Sequence, residues 1–426
     1  MTDLRALVRP TGVHGALYND PAVFDAEMQH IFGQGWVYVG HTSEIPERGD
    51  YVRRTLGTEP VIVVRAADGV NVLANRCTHR GNLLCQAERG RRRAFACPYH
   101  GWVFDAGGAL VDVPFPAGAE ADRAGLHLRR ATVEIYRGFI FASFAARPCR
   151  LAEHLGHARQ ALDRASDLSP SGEVQIGRTW IKHLFQANWK MLSENEADGY
   201  HVNFVHDSFA RSVKVQGKYS DVLQGDEAGF TAVTRALGNG HTELDYGPTY
   251  RRPLAWLAVG PDRYPDYTAA MEGAYGVVRA TEIMRAGPPH TFIFPNLFLA
   301  ETCLVMIQPL AVGQTVNWHT PLLLRDAPVE LNRRILRQGE VALGPSAFLT
   351  ADDAVIAERQ WRALLGSPGW LDLTRGAQRE QQREDGVVVS HYTDETPNRG
   401  FWRHYLDVME QPPVAVRSAG APSCSP

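Results

Sequence analysis

Two short segments that each combine a cysteine with a histidine constrain this chain of 426 residues more than any other feature. The first is Cys77-Thr78-His79 and the second is Cys97-Pro98-Tyr99-His100, with a spacer of modest length between them. Two thiolates can bind one iron of a [2Fe–2S] cluster while two imidazoles bind the other iron. We therefore expect two ligand loops on a small rigid scaffold, and a chain that carries electrons.

A structural zinc site is the alternative, because zinc also accepts two cysteines and two histidines. Zinc sites usually take both cysteines from one hairpin and both histidines from a helix, whereas each segment here supplies one of each. Arg80-Gly81 and Gly101-Trp102 follow the histidines and are typical of tight turns that aim backbone N–H groups at sulfur. The order of the ligands favours the iron–sulfur cluster in its Rieske arrangement, where histidine raises the potential.

The composition is that of an ordinary globular protein of two or three domains, with 44% hydrophobic and 21% charged residues. A formal net charge of −3 gives no indication of nucleic acid or an anionic membrane as a partner. We find no apolar run long enough to span a bilayer and no secretory signal near the first residue. We expect a cytoplasmic protein whose cysteines outside the two segments are free thiols.

The order of β-rich and helical patterns predicts an α+β protein. The expected parts are an N-terminal helical segment at 1–40 packing on the larger domain, a small all-β domain at 41–150 with the two ligand segments, a mixed domain at 151–410 with an antiparallel sheet covered by helices, and a flexible tail at 411–426. Within these parts, residues 135–144 and 174–185 each read as one strand, from their apolar β-rich pattern.

A second group of polar residues lies in the helical pattern over 188–205 and just beyond it. His201 and His206 are five residues apart, which on an ideal helix is about 140° of rotation. They can bind one metal only if the helix ends or distorts between them, and Gly199 just upstream favours a distortion. A lone histidine in a helix is usually a core or surface residue, but two histidines beside the acidic Asp198 indicate a metal site.

A non-haem Fe(II) that activates O₂ usually has two histidines and one carboxylate as ligands. The candidates for the carboxylate are Asp207, Asp245 and the pair Asp352-Asp353. Asp207 directly follows His206 and would point elsewhere. One carboxylate of the pair could cap the helix predicted there, which leaves the other free to bind the metal.

Together, these two groups resemble the α subunit of Rieske-type aromatic-ring-hydroxylating oxygenases, from about Trp36 to Tyr405. The resemblance rests on C-x-H-R-G, C-x-x-H-G-W, Asn188-Trp189-Lys190, D-x-Y-H-x₄-H and Phe294-Pro295-Asn296 in this order. The motif Asp-Gly-Tyr-His is similar to the corresponding motif in the branch of the family that acts on benzoate-like aromatic carboxylates.

The resemblance implies a role for each motif residue. The ligands of the [2Fe–2S] cluster would be Cys77, His79, Cys97 and His100. The mononuclear Fe(II) would be bound by His201, His206 and Asp353, because the third ligand is usually the second member of the acidic pair.

Asp198 would bridge the two metal sites. It lies three residues before His201, so its carboxylate can accept the ring N–H of that histidine and fix its tautomer. The resemblance implies that it also reaches His100 of the cluster in a neighbouring subunit. We therefore expect a homotrimer, or three α subunits with three small β subunits.

The implied activity is that of a terminal oxygenase that hydroxylates or cis-dihydroxylates an aromatic substrate with O₂, in particular an aromatic carboxylate. NADH would supply electrons through a separate reductase or ferredoxin, because this chain has no Gly-rich dinucleotide fingerprint. A Rieske monooxygenase or demethylase of a small molecule is the alternative, followed by a non-catalytic electron carrier.

The remaining candidates concern the substrate and the electron donor. Arg211 and Arg252 are possible anchors for an anionic substrate. The loop Arg89–Arg93 could dock an acidic donor, or it could be a solvated loop. The candidate pocket residues, which could equally be core residues, are Val202, Phe209, Leu257, Ile293, Asn296 and Phe348.

Overall fold

A computed structural model describes residues 3–115, 123–177, 179–209, 211, 231–344 and 347–411. Among the described residues, 27–151 form one unit, the β unit, while 3–26 and 152–410 form a second, the mixed unit. The domain limits at 40, 150 and 410 stay a prediction, and the expected tail lies outside the described residues from 412 onward. No helix in the described ranges is both long enough and apolar enough to cross a bilayer.

The described strands and helices are named in chain order. The strands are β1 Val8–Arg9, β2 Gly12–His14, β3 Val37–His41, β4 Asp50–Leu56, β5 Glu59–Arg65, β6 Val70–Ala74, β7 Arg89–Arg91, β8 Ala94–Ala96, β9 Val103–Asp105, β10 Leu110–Asp112, β11 Thr132–Tyr136, β12 Phe139–Ser143, β13 Val174–Ile176, β14 Ile181–Phe185, β15 Val233–Gly238, β16 His241–Asp245, β17 His290–Ile293, β18 Leu297–Ala300, β19 Cys303–Ala311, β20 Gln314–Leu324, β21 Trp370–Asp372, β22 Gln381–Gln382 and β23 Val388–His391. The helices are α1 Ala16–Asn19, α2 Pro21–Glu27, α3 Leu151–Leu155, α4 Arg159–Asp167, α5 Trp189–Asn195, α6 Val202–Val205, α7 Pro265–Tyr275, α8 Val277–Ala286, α9 Val329–Leu343, α10 Phe348–Gly366 and α11 Thr396–Met409.

Three small antiparallel sheets make up the β unit, with strand orders β6-β5-β4-β7, β10-β9-β8 and β11-β12-β3. Valine and isoleucine on β5 and β6 suit a buried pleated surface. The aromatic rings of Tyr51, Phe95 and Phe104 pack in one core with Cys77 and Cys97. The thiols of the two ligand segments are therefore part of the core that holds the sheets together.

The single strand predicted over 135–144 is wrong, because β11 and β12 form a hairpin there. Arg137 and Gly138 connect the strands with φ of 51° and 87°. Two consecutive residues with positive φ are typical of the two-residue turn whose twist matches that of antiparallel strands. Arg-Gly is not among the dipeptides that usually mark such a turn, so the β-rich residues on both sides read as one strand.

The mixed unit is built on a large antiparallel sheet in the order β13-β20-β19-β18-β17-β16-β15-β23-β22, with β14 also paired to β20. The single strand predicted over 174–185 is two strands, β13 and β14, which pair with successive parts of β20. Pro321 of β20 has no N–H to donate at the break, and its carbonyl accepts from Gly177 instead. The α+β fold class is confirmed.

A partly buried carboxylate anchors α5 to other parts of the mixed unit. Glu194 accepts hydrogen bonds from the Tyr18 hydroxyl at 2.8 Å and from the Trp402 indole N–H at 2.5 Å. Burial raises the pKa of Glu194 to about 7. Asn188 begins the helix by accepting the N–H of Lys190 with its side chain, the usual role of an N-cap. These bonds fix the helix whose end leads into the candidate metal site.

Three histidines surround Phe294 in the same unit. The ring of His154 bonds the carbonyl of Phe294 at 3.0 Å, while Nδ1 of His241 accepts the Phe294 N–H at 2.9 Å. The ring of His404 lies edge-on to the Phe294 ring, with 5.0 Å between their centroids. Burial lowers the pKa of His154 and of His404 to about 4, and that of His241 further. These histidines fold as neutral rings.

Replacing His404 by phenylalanine should make stability less sensitive to acid. Below about pH 6.5 the unfolded chain protonates this histidine but the folded chain does so only near pH 4, so His404 costs stability as the pH falls. Between pH 7.5 and 5.5 the difference in unfolding free energy should shift in favour of His404→Phe by about 1 kcal/mol. Urea titrations of both proteins at the two pH values measure this, and a pH-independent difference would contradict it.

Candidate metal centres

The two ligand segments of the β unit have the same backbone geometry. Gly81 N–H donates to the carbonyl of Cys77 at 3.0 Å, and Gly101 N–H donates to that of Cys97 at 2.9 Å. Both glycines have φ of 76°, a conformation that residues with a side chain rarely adopt. The second segment is the loop between β8 and β9. Two matching tight turns thus present one cysteine and one histidine each.

Backbone N–H groups point at both sulfur atoms, as the turns predicted. Burial raises the pKa of the Cys77 thiol, although hydrogen bonds from the N–H groups of residues 79 and 80 oppose it. For Cys97, burial is outweighed by hydrogen bonds from the N–H groups of Tyr99 and His100, so that its pKa is lowered. Such N–H groups stabilise a thiolate, the form of cysteine that binds iron.

The two histidines of these segments lie at the surface while the cysteines are buried. The ring centroids of His79 and His100 are 4.6 Å apart. Trp102 stacks on His79 with 4.7 Å between centroids and an angle of 10°. Two buried sulfurs and two exposed imidazoles on adjacent turns match the two unlike ends of a Rieske cluster, so this donor set fits that group.

A turn interrupts the helix predicted over 188–205, which is instead α5 and α6. Asp198 Oδ1 accepts the N–H of Tyr200 at 2.6 Å, a local bond that competes with helix continuation. His201 immediately precedes α6 and His206 immediately follows it, with φ of −98° and ψ of 19°. Because α6 is a single turn with a histidine at each end, both side chains can converge on one point.

The convergence is close. His201 Nε2 lies 3.3 Å from His206 Nε2, and Asp353 Oδ1 lies 3.7 Å and 3.3 Å from these two atoms. One ligand atom from each of the three residues lies within 4.8 Å of the others. Asp353 comes from the first turns of α10, a different part of the chain. Two histidines and one carboxylate are the ligand set of O₂-activating non-haem iron.

Unpaired polar atoms mark the same place. Asp353 Oδ1 is buried and has no hydrogen-bond partner among the described residues. Buried polar atoms are nearly always paired, so an orphaned carboxylate oxygen facing two imidazole nitrogens suits a bound cation. The side chains therefore fit a mononuclear iron.

Asp198 lies on the other side of His201 from this point. Its Oδ2 is 3.4 Å from Nδ1 of His201. The carboxylate is thus placed to orient the ring, as the spacing of three residues predicted. Its expected second contact, with His100 of another subunit, stays a prediction.

The other acidic candidates have different partners. Asp207 is half-exposed and pairs with Arg211 at 2.6 Å on the surface. Asp245 is buried between Arg164 and Arg235, at 2.8 Å and 2.9 Å. Neither carboxylate is among the three residues that converge.

The proposed pocket and docking residues divide by exposure. Leu257, Ile293 and Asn296 are buried, Val202 and Phe209 are partly buried, and Phe348 is 51% exposed. The candidate anchors Arg211 and Arg252 are both exposed. Residues 89–91 form the edge strand β7, in which Arg91 pairs with Asp50 at 2.7 Å, so this segment is not simply a loop.

Sequence reasoning missed two polar residues near the site. Arg375 lies over the ring of Tyr200 at 3.9 Å, and the backbone N–H of Tyr200 donates to Asp198. His290 donates from Nε2 to the carbonyl of Glu196 at 3.0 Å, and its Nδ1 has no partner among the described residues. Both are distant in sequence from the motif they contact, so the chain alone carried no signal for them.

One donor set that fits a [2Fe–2S] cluster and another that fits a non-haem iron are together typical of an iron-dependent oxygenase of the Rieske class. Residues 35–131 match the Rieske [2Fe-2S] domain, and residues 156–411 match the ring hydroxylating alpha subunit (catalytic domain). The chain therefore belongs to the family of ring-hydroxylating oxygenase α subunits, which carry both cofactors.

Individual relatives agree with this assignment. The chain is 31% identical over 375 residues to the 2-halobenzoate 1,2-dioxygenase large subunit of Burkholderia cepacia, which covers 85% of this chain and 79% of the relative. It is 35% identical over 425 residues to the biphenyl dioxygenase subunit alpha of Metapseudomonas furukawaii, covering 94% and 91%. A structure of naphthalene 1,2-dioxygenase with indole bound superposes with a TM-score of 0.81 at 26% identity, covering 94% and 92%.

Adding one methyl group at Gly199 should empty the iron site without affecting the cluster. A Cβ there would lie 2.5 Å from the carbonyl oxygen of Tyr392, so the turn that carries Asp198 and His201 must shift. We expect Gly199→Ala to lose most of its mononuclear iron, measured as iron per cluster, while the reduced cluster keeps its EPR signal. Gly273→Ala is the control, because no atom lies within 4 Å of its Cβ. Full iron content in Gly199→Ala would contradict this.

Proposed function

We propose that this protein is a terminal oxygenase that adds oxygen from O₂ to an aromatic ring. The proposal is carried by the convergence of His201 Nε2, His206 Nε2 and Asp353 Oδ1 within 4.8 Å. In this proposal Cys77, His79, Cys97 and His100 hold the cluster. The domain limits at 41–150 and 151–410 belong to the same proposal, supported by the family matches at 35–131 and 156–411.

The residues of this chain have separate roles in the proposed reaction. When bound, the iron supplies the site at which O₂ is activated, and the cluster supplies electrons one at a time. His201, His206 and Asp353 would hold the iron, each through one ligand atom. Asp198 holds the ring of His201 in the tautomer whose Nε2 faces the metal, as its 3.4 Å approach to Nδ1 supports.

The electron route defines the assembly. A partly exposed carboxylate at Asp198 can contact His100 of a neighbouring copy while it holds His201. Exposure of both cluster histidines supports such a contact. We therefore propose a homotrimer, or three α subunits with three β subunits, in which each cluster serves the iron of the next chain.

The electron donor in this proposal is a separate reductase or ferredoxin that draws on NADH. Two electrons and two protons are consumed with O₂ when an arene becomes a cis-dihydrodiol, so NADH and one proton balance the reaction. Exposed Arg89, Arg92 and Arg93 in the β unit would attract an acidic donor. Because NADH is supplied inside the cell, we place the protein in the cytoplasm.

For the substrate we propose an aromatic carboxylate. The similarity to a 2-halobenzoate dioxygenase and the motif Asp198-Gly199-Tyr200-His201 support this class of substrate. The 35% identity to a biphenyl dioxygenase favours an uncharged arene as the second candidate. The two candidates differ in charge, so they can be separated by direct comparison.

A substrate comparison under ¹⁸O₂ tests both the substrate class and the reaction. Benzoate, 2-halobenzoate and biphenyl are offered to the purified protein with a reductase and NADH. We expect a dihydrodiol carrying two ¹⁸O atoms from a benzoate and much slower turnover of biphenyl. Turnover of biphenyl alone would replace the carboxylate by an uncharged arene. A phenol carrying one ¹⁸O atom would indicate a monooxygenase.

Replacing Asp353 by alanine separates an oxygenase from an electron carrier. Removing the only carboxylate among the three converging ligands should release the mononuclear iron and abolish product formation. The reduced cluster should keep its EPR signal, because its ligands lie in the β unit. Asp207→Ala is the control, since this nearby acid pairs with Arg211 at the surface. Full activity of Asp353→Ala would contradict the proposed iron site.

A further inference from the structure

Two consecutive carboxylates contact the ring of His206 at its two nitrogen atoms. Asp353 Oδ1 lies 3.3 Å from Nε2, and Asp352 Oδ2 lies 3.6 Å from Nδ1. The two nitrogens point to opposite sides of an imidazole. Asp352 therefore lies on the far side of the ring from the point where the three proposed iron ligands meet.

Both atoms of the outer contact are buried. His206 Nδ1 and Asp352 Oδ2 are inaccessible to solvent, and neither has another hydrogen-bond partner among the described residues. A buried ring N–H and a buried carboxylate oxygen that face each other are complementary groups. Small motions that close the gap of 3.6 Å to about 3 Å would satisfy both at once.

The helix itself does not explain Asp352. α10 begins at Phe348, and its N-cap is Ala347, which has no side-chain capping bond. Asp352 lies one turn further on, where a carboxylate has no capping role. Successive helical residues are rotated by about 100°, so the side chains of Asp352 and Asp353 point in different directions. The ring of His206 lies between the two carboxylates.

The same arrangement occurs at the other histidine. Asp198 Oδ2 lies 3.4 Å from Nδ1 of His201, whose Nε2 faces the proposed metal. Each of the two histidines thus has its own carboxylate at Nδ1. One of these carboxylates comes from the turn before α6 and the other from α10.

We propose that Asp352 is a positioning residue that accepts the Nδ1–H of His206 and so holds Nε2 unprotonated toward the metal. This inference rests on the proposed iron site. It divides the acidic pair into a ligand, Asp353, and an orienting acceptor, Asp352. Outer carboxylates of this kind fix the tautomer and raise the basicity of a histidine ligand.

The test is iron affinity rather than activity alone. Fe(II) binding by the cluster-loaded protein is measured against a competing chelator for wild type, Asp352→Asn and Asp352→Ala. We expect affinity to fall by about 10- to 100-fold in Asp352→Ala, the usual effect of losing such a partner. The Fe(II) affinity of Asp352→Asn should lie between those of wild type and Asp352→Ala, because the amide oxygen is a weaker, uncharged acceptor. Cluster EPR and the thermal midpoint verify that each variant is folded.

Two controls make each outcome decisive. Asp207→Asn removes a charge next to His206 without touching the ring nitrogens, so its iron affinity should equal that of wild type. Wild-type affinity in Asp352→Ala, which has no side-chain acceptor at this position, would overturn the proposal. Asp353→Asn tests the underlying site separately. If Asp353→Asn keeps its iron, the proposed function fails. If Asp353→Asn loses its iron while both Asp352 variants keep wild-type affinity, only the proposed role of Asp352 is overturned.

Discussion

The interruption between α5 and α6 is the constraint on which the candidate iron site depends. Two histidines five residues apart diverge on a continuous helix. Here the bond from Tyr200 N–H to Asp198 Oδ1 starts a new one-turn helix, which brings His201 Nε2 within 3.3 Å of His206 Nε2. One side chain, Asp198, thus shapes the backbone with one carboxylate oxygen and orients a proposed ligand with the other.

This local turn is useful only because its surroundings are rigid. Glu194 joins the end of α5 to Tyr18 near the start of the chain and to Trp402 in α11. Tyr392 closes the space next to Gly199, so the turn has no room for a side chain. Because buried polar bonds and close packing are costly to rearrange, the geometry of the proposed ligands is set before any metal binds.

The sequence indicated both ligand groups because metal chemistry restricts residue types and spacings. It also indicated that the helix must end or distort near His201 and pointed to Gly199 just upstream, where the turn lies. It did not reveal the hairpin at Arg137-Gly138, because Arg-Gly is not one of the dipeptides that usually mark a two-residue turn. From the residues alone Asp352 and Asp353 stayed alternatives and only the resemblance favoured Asp353, because the distances of the two carboxylates to His206, a residue about 150 positions away, depend on the fold.

The β unit keeps the cysteine sulfurs away from solvent and still leaves the cluster accessible for electron transfer. Cys77 and Cys97 lie in the hydrophobic core, where N–H groups of the two turns oppose the effect of burial on the pKa of both thiols and outweigh it at Cys97. His79 and His100 are the exposed members of the proposed ligand set, and Trp102 holds one of them by stacking. Another protein surface can therefore approach the cluster most closely at an imidazole. An acceptor such as Asp198 can hydrogen-bond an imidazole N–H directly, which a buried thiolate could not offer.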